Sequence, residues 1–140
     1  MADDFERFEV AQDPVWPQVM AELAGGAKRT HWMWFVFPQL AGLGHSAMAT
    51  RYALGSRAEA AAYFDHRTLG PRLGEATELM LAHAGRPAEA ILGGVDALKF
   101  RSSMTLFAAA RPGEPAFRAA LDAFYGGRPD LRTLALLGPA

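Results

Sequence analysis

The sequence contains no cysteine, and only two of its fourteen basic residues are lysines, Lys28 and Lys99. The absence of cysteine excludes thiol nucleophiles, disulfide bonds and cysteine-based zinc sites. The four histidines are scattered, with neither a metal-ligand spacing nor an HExxH pattern. We therefore expect neither a metal centre nor a cofactor.

No apolar run is long enough to cross a membrane, and neither sign of charge dominates. The longest such run, from Trp32 to Pro38, is far below the ~20 residues that a transmembrane helix needs. Fourteen basic against fifteen acidic residues give a net charge of −1, without the basic block typical of nucleic-acid binding. The acidic N-terminus lacks the features of a signal peptide. The sequence predicts a cytoplasmic protein that binds neither membrane nor nucleic acid.

The 140 residues, 51% of them hydrophobic, have the size and composition of one globular domain over residues 1–140. Frequent glycine and proline residues separate short segments whose apolar residues have helical spacing. They predict an all-α, multihelical fold of short helices around a central apolar helix at about residues 96–110. The other predicted helices are residues 4–11, a helix capped by Asp13 and ended by Gly25, one capped by Ser56 and ending near Asp65, one from Pro71 to Gly85, residues 88–92, residues 117–125, and a last helix capped by Asp130.

The segment 28–44 concentrates large aromatic residues. It contains, in order, His31, Trp32, Trp34, Phe35 and Phe37. One face of a helix or strand cannot hold them all, so we expect the segment to be buried on most sides. The imidazole and the two indole N–H groups then need partners. Local sequence leaves open whether residues 32–37 form a buried strand or a helix capped by Thr30.

Two polar clusters are candidates for a site. A helical wheel places Asp96, Lys99 and Ser103 on one stripe of the central helix. Either Asp96 caps the helix and pairs with Lys99 while Ser103 bonds back to a carbonyl, or the stripe lines a cavity. The second cluster is Lys28, Arg29, Thr30 and His31. Its two cations either hold an anion at the start of the next helix or are simply solvated.

Several motifs together resemble a known family. They are HWMWFVFPQ at 31–39, GLGxS at 42–46, Tyr52, LGxRL at 69–73 and DxxKxxSSMTLF at 96–107. The chain resembles the small bacterial proteins of domain-of-unknown-function family eighteen-ten, sometimes labelled calpastatin, over nearly its whole length. The resemblance implies an all-helical fold, which favours helix for residues 32–37, and it implies no characterised activity.

We hypothesise a site for a small anionic, nucleotide- or ADP-ribose-like metabolite, with hydrolysis as a further step. The motif polarity is similar to that of families thought to process ADP-ribose-type metabolites. The expected ligand-binding residues are Trp32, Trp34, Gln39, Lys99, Arg101 and Ser103, and the expected proton-transfer residues are His31 and Asp96.

The alternative is a structural or adaptor protein. Its motifs would only stabilise the core, and a partner that the sequence does not identify would bind an exposed apolar patch. A pocket in which His31 and Lys99 converge would favour the metabolite site. A solid core in which every polar group is paired internally would favour the alternative.

Overall fold

The structure is a computed structural model that describes residues 5–139. Within these residues the chain forms ten α-helices and no β-strand, which confirms the predicted all-α fold. The helices are α1 (Glu6–Gln12), α2 (Trp16–Gly25), α3 (Met33–Val36), α4 (Ala47–Arg51), α5 (Arg57–Asp65), α6 (Leu69–Leu81), α7 (Ala88–Leu92), α8 (Gly94–Ala110), α9 (Pro115–Tyr125) and α10 (Leu131–Leu137). No helix in this part of the chain is long and apolar enough to span a membrane.

Helix α8 is the central element, as predicted, and it packs against α5, α7, α9 and α10. Apolar residues occur on most sides of this helix, which is typical of a helix at the centre of a core. Its aromatic residues Phe100 and Phe107 are accordingly fully buried. Phe100 packs edge-to-face against Phe37, with 4.8 Å between ring centroids. Phe107 lies 5.7 Å from Tyr63 and 5.5 Å from Phe117. These contacts join the segment that follows α3 to α5, α8 and α9 in one core.

Local capping signals define several helices correctly. The side chains of Ser56 and Asp130 each accept a hydrogen bond from a backbone N–H of the helix that follows, as predicted, and Ser46 caps α4 in the same way. Helix α7 has the predicted bounds, and α9 ends where Gly126 adopts a positive φ of 62°. Residues 33–36 are helical, as the family resemblance implied, but they form only a single turn.

Other predicted boundaries are wrong because side chains have distant partners. Asp13 does not cap α2, since its carboxylate pairs with Arg72 at 2.8 Å. Helix α6 begins before Pro71, because Nδ1 of His66 accepts hydrogen bonds from the backbone N–H groups of Thr68 and Leu69. Helix α6 also ends at Leu81, short of the predicted end at Gly85. The predicted start of the first helix at residue 4 lies outside the described residues.

Thr30 and Asp96 are also not helix caps. Helix α3 is preceded by Trp32 at its N-cap position, and Thr30 bonds to Glu22 instead. Helix α8 begins at Gly94, so Asp96 is its third residue rather than its cap.

The loop between α3 and α4 is held by backbone pairing with the segment before α5. Leu40 and Leu54 form an isolated parallel bridge. Ala41 N donates to the Leu54 carbonyl at 2.8 Å, and Leu54 N donates to the Gln39 carbonyl at 2.9 Å. This pairing fixes one wall of the cleft described below.

Candidate functional site

A cleft of about 430 Å³ lies between α8, the loop that leads into α4, and the start of α10. Most of its polar groups are basic or hydroxyl side chains. It is lined by Trp34, Gln39, Leu43, Gly44, His45, Ser46, Ala49, Val95, Leu98, Lys99, Arg101, Ser102, Asp130 and Arg132. Its volume lies within the range of about 300 to 1,000 Å³ that is typical of small-molecule sites.

One face of α8 forms a wall of this cleft. Val95, Leu98, Lys99 and Ser102 follow the i, i+3, i+4, i+7 spacing that places side chains along one side of a helix. Val95 and Leu98 are 69% and 65% exposed, which is high for aliphatic residues. The wall therefore has an apolar rim next to a lysine and a hydroxyl group.

Lys99 is held at the cleft by Trp34 and Asp96. Its Nζ lies 4.9 Å from the centroid of the Trp34 ring and 3.7 Å from Oδ1 of Asp96. The face of the Trp34 ring attracts the Lys99 ammonium through a cation–π interaction. Because the Asp96 contact is long, the Lys99 ammonium retains donors for a further partner.

Arg101 and Arg132 bring two guanidinium groups to the same cleft. Nε of Arg101 donates to the Arg128 carbonyl at 2.9 Å, and its guanidinium lies 5.5 Å from the centroid of Tyr125. Nη2 of Arg132 is 3.5 Å from the Leu43 carbonyl, across the cleft. Neither arginine forms an ion pair within residues 5–139. Their remaining N–H groups suit carboxylate or phosphate oxygens.

Asp130 is the one carboxylate in the described lining of the cleft. Its Oδ2 accepts hydrogen bonds from the hydroxyl of Ser102 at 3.0 Å and from the backbone N–H and hydroxyl of Thr133 at 3.0 and 2.5 Å. Its backbone N–H donates to Oγ1 of Thr105 at 2.8 Å. Asp130 therefore ties α10 to α8. Because Lys99, Arg101 and Arg132 line the same cleft, the cleft carries a net positive charge in a chain of net charge −1.

The two polar clusters of the sequence meet beside the cleft. Nζ of Lys28 lies 2.9 Å from Oδ2 of Asp96, and its side chain is only 7% exposed. It also donates to the Thr30 carbonyl at 2.6 Å and lies 5.0 Å from the Trp32 ring. Lys28 and Lys99 thus contact different oxygens of Asp96. Because Lys28 pairs with Asp96, it is not one of the cationic side chains that could bind a ligand in the cleft.

Four predicted site residues line the cleft, namely Trp34, Gln39, Lys99 and Arg101. Asp96 lies behind them as the partner of both lysines. The structure places three others elsewhere: His31, Trp32 and Ser103. His31 is exposed and outside the cleft lining, contrary to the expected burial of its segment. Ser103 is fully buried, and its Oγ has no hydrogen-bond partner in the described part of the chain, so it does not bond back to a carbonyl.

Trp32 is a core residue whose partner is Glu22. The indole Nε1 donates to Oε1 of Glu22 at 2.9 Å, and Trp32 is 1% exposed. The Glu22 carboxylate also accepts hydrogen bonds from the backbone N–H groups of Arg29 and Thr30, the Thr30 hydroxyl and the Gln18 amide. Burial raises the pKa of Glu22, but these hydrogen bonds together outweigh it and lower the pKa from 4.5 to about 2.

Sequence reasoning missed Ser102, His45, Asp130 and Arg132 as lining residues. The signal for Ser102 was present, because Val95, Leu98 and Lys99 share its helical face. Arg132 had no such signal, since the packing of α10 against α8 brings it to the cleft across many residues of sequence. Within residues 5–139 no group of three acidic, histidine or cysteine side chains is arranged to hold a metal ion.

Comparison with known proteins identifies relatives without a described activity. Residues 2–137 match the family described as "Protein of unknown function (DUF1810)". The chain is similar to the crystal structure of the conserved hypothetical protein Rv1873 from Mycobacterium tuberculosis, with 51% identity, 100% coverage of both chains and a TM-score of 0.96. No protein of curated function matches the sequence. The match over nearly the whole chain, together with the motifs, shows that this protein belongs to the DUF1810 family.

Proposed function

We propose that this protein binds a small anionic metabolite, of the nucleotide or ADP-ribose type, in the cleft beside α8. The proposal rests on the convergence of Lys99, Arg101 and Arg132 on one cleft. Lys99 and the two arginines hold phosphate oxygens, the arginines by paired N–H groups and the lysine as a point charge. The exposed aliphatic rim of Val95 and Leu98 contacts the less polar part of the ligand.

The geometry favours roles different from those expected at first for the aromatic and acidic residues. The Trp34 ring has the Lys99 ammonium over it, so we assign Trp34 to positioning Lys99 rather than to stacking on a ligand ring. Asp96 positions both lysines, since each of its oxygens faces one of them. His45 and Asp130 are the titratable groups other than Lys99, Arg101 and Arg132 in the described lining of the cleft, so a hydrolytic step would depend on them rather than on His31.

Thermal unfolding in the presence of candidate ligands tests the proposal. The compounds are inorganic phosphate, AMP and ADP-ribose, with uncharged adenosine as the control. A ligand at about 100 times its Kd adds about 2.7 kcal/mol to the free energy of unfolding, which raises Tm measurably. We expect a phosphate-bearing compound to raise Tm and adenosine to leave it unchanged.

Variants locate the binding in the cleft. Lys99→Met and Arg132→Gln should each reduce the ligand-induced rise in Tm, because a hydrogen bond to a charged group contributes about 1.5 to 3 kcal/mol. Arg67→Gln is the matched control, since Arg67 is exposed and outside the lining of the cleft. The proposal fails if no anion raises Tm, or if both cleft variants respond to the anion as the wild type does.

A further inference from the structure

A second, smaller groove lies on another face of the molecule, where α6 meets α9 and the end of α5. Its volume is about 330 Å³, and most of its lining is apolar. Phe64 and Phe117 lie against each other edge-to-face at its floor, with ring centroids 5.2 Å apart. Gly74 and Ala116 add small apolar surfaces beside them.

Three carboxylates surround this apolar floor. Glu75 and Glu78 come from α6, one turn apart, and Glu114 precedes the first residue of α9. In the described part of the chain none of the three side chains takes part in an ion pair. Like charges one turn apart on a helix repel each other, and a cationic partner would turn this repulsion into attraction. The groove thus combines an apolar floor with a negative rim.

Gly74 helps to open this groove, although the fold does not require a glycine there. A Cβ atom at Gly70, one turn earlier, would lie 1.9 Å from the Phe64 carbonyl oxygen, so close packing explains that glycine. A Cβ atom at Gly74 would meet no atom within 4 Å. Glycine weakens a helix interior, and at Gly74 no close approach of the described residues requires one. The missing side chain leaves open space at the groove, which Gly74 lines together with Phe64 and Phe117.

We propose that this groove docks a segment of a partner protein that presents one aliphatic or aromatic side chain flanked by arginine or lysine. The apolar side chain packs over Phe64 beside Gly74, and its basic neighbours pair with Glu75, Glu78 and Glu114. The groove is open to solvent and has an apolar floor, so one side chain of a partner can pack into it while the rest of the partner segment stays outside. The negative rim selects a basic segment and disfavours an acidic one.

Titration with defined peptides, followed by ¹⁵N–¹H NMR of the full chain, tests the proposal. The probe is the acetylated, amidated peptide Gly-Arg-Leu-Arg-Gly. One control peptide replaces both arginines by glutamate, and the other replaces the leucine by glycine. We expect saturable shifts confined to the amides of the groove with the probe, and apparent affinity at least ~10-fold weaker with either control.

Protein variants separate docking in the groove from general charge attraction. Gly74→Leu adds a large side chain to the lining of the groove and should abolish the saturable shifts, whereas Gly74→Ala should retain them. The double variant Glu75→Gln with Glu78→Gln keeps the shape and should weaken binding at least ~10-fold. Circular dichroism verifies that each variant is folded. Shifts that spread over the surface, or that persist in Gly74→Leu, would overturn the proposal.

Two further measurements test the nature of the occupant. If ethylguanidinium alone shifts the same amides with an affinity equal to that of the peptide, the groove is a small-cation site and the proposal is wrong. If the wild type self-associates in sedimentation equilibrium and Gly74→Leu does not, a second copy of this chain is the occupant, which also overturns it. A monomeric wild type that binds the peptide more tightly than the cation supports the proposal.

Discussion

The ammonium of Lys99 lies 4.9 Å from the centroid of the Trp34 ring, so the half-buried indole and the cation at the cleft form one unit. The cation occupies a face of the indole that a flat ligand would otherwise use. The pair also links α3 to α8 at the point where the cleft begins. Trp34 therefore influences binding through the position of the lysine.

Trp34→Leu removes the ring that orients Lys99, and an exposed cation–π contact is worth about 0.5 to 1 kcal/mol, so affinity for ADP-ribose should fall about 2- to 5-fold. Trp34→Tyr keeps an aromatic face and should lose less of the affinity for ADP-ribose. Isothermal titration calorimetry measures both affinities. Equal losses in the two variants would mean that bulk, and not the aromatic face, matters at this position.

The two lysines should contribute unequally to stability. Lys28→Met removes a cation that is 7% exposed and 2.9 Å from Asp96. Among the described residues, that carboxylate then keeps only the ion pair with Lys99 at 3.7 Å. We expect the free energy of unfolding to fall by about 2 to 4 kcal/mol. Lys99→Met leaves the closer pair intact and should change stability by less than about 1 kcal/mol.

Urea unfolding of the two lysine variants at neutral pH measures the difference. The substitutions are chemically identical, so they act as mutual controls. A loss for Lys99→Met as large as that for Lys28→Met would show that the longer contact carries the stabilisation of Asp96.

How far the sequence predicts this fold depends on how local each signal is. Ser56 and Asp130 cap the helices that follow them, and the hydrogen bonds reach only three residues along the chain. Thr30 has a side chain equally suited to capping, but it bonds to Glu22, eight residues earlier. Nothing in the sequence near Thr30 indicates that this glutamate is its hydrogen-bond partner, so the sequence predicts the helix start at the wrong residue.

The residues that line the cleft beside α8 can be predicted from the sequence to a similar degree. Lys99 and Trp34 stand out as a rare lysine and a clustered aromatic, and both line the cleft. A helical wheel places Ser103 on one stripe with Asp96 and Lys99, yet Ser103 is fully buried; because α8 has apolar residues on nearly every side, the wheel alone does not show which face is covered. Arg132 reaches the cleft only through the packing of α10 on α8, which no local pattern records.

Glu22 should give the protein an acid-sensitive component of stability. Its pKa is lowered from 4.5 to about 2 in the folded state, so its contribution is complete above about pH 4.5 and is lost as the pH falls towards 2. By linkage, a lowering of the pKa by this amount corresponds to about 3 kcal/mol. Urea unfolding across pH 2 to 7 measures the pH dependence of the free energy.

The variant Glu22→Gln isolates that component. The amide cannot replace the carboxylate as acceptor for every donor around it, so stability at neutral pH should fall by about 2 to 3 kcal/mol. Stability of the variant should also vary less between pH 4.5 and 2 than that of the wild type. An unchanged slope in this range would show that other carboxylates cause the acid unfolding.

Substitution by alanine should have opposite effects on stability at two glycines of α6, Gly70 and Gly74. In Gly70→Ala the new methyl group would lie 1.9 Å from the Phe64 carbonyl oxygen, a backbone atom that cannot move without displacing α5. We expect a loss of more than about 3 kcal/mol. In Gly74→Ala the methyl group meets no atom within 4 Å, and replacing glycine in a helix should stabilise the protein by about 0.5 to 1 kcal/mol. Thermal and urea unfolding of the two variants provide the comparison. A destabilised Gly74→Ala would show that this glycine has a structural role within the fold, and would weaken its assignment to the groove.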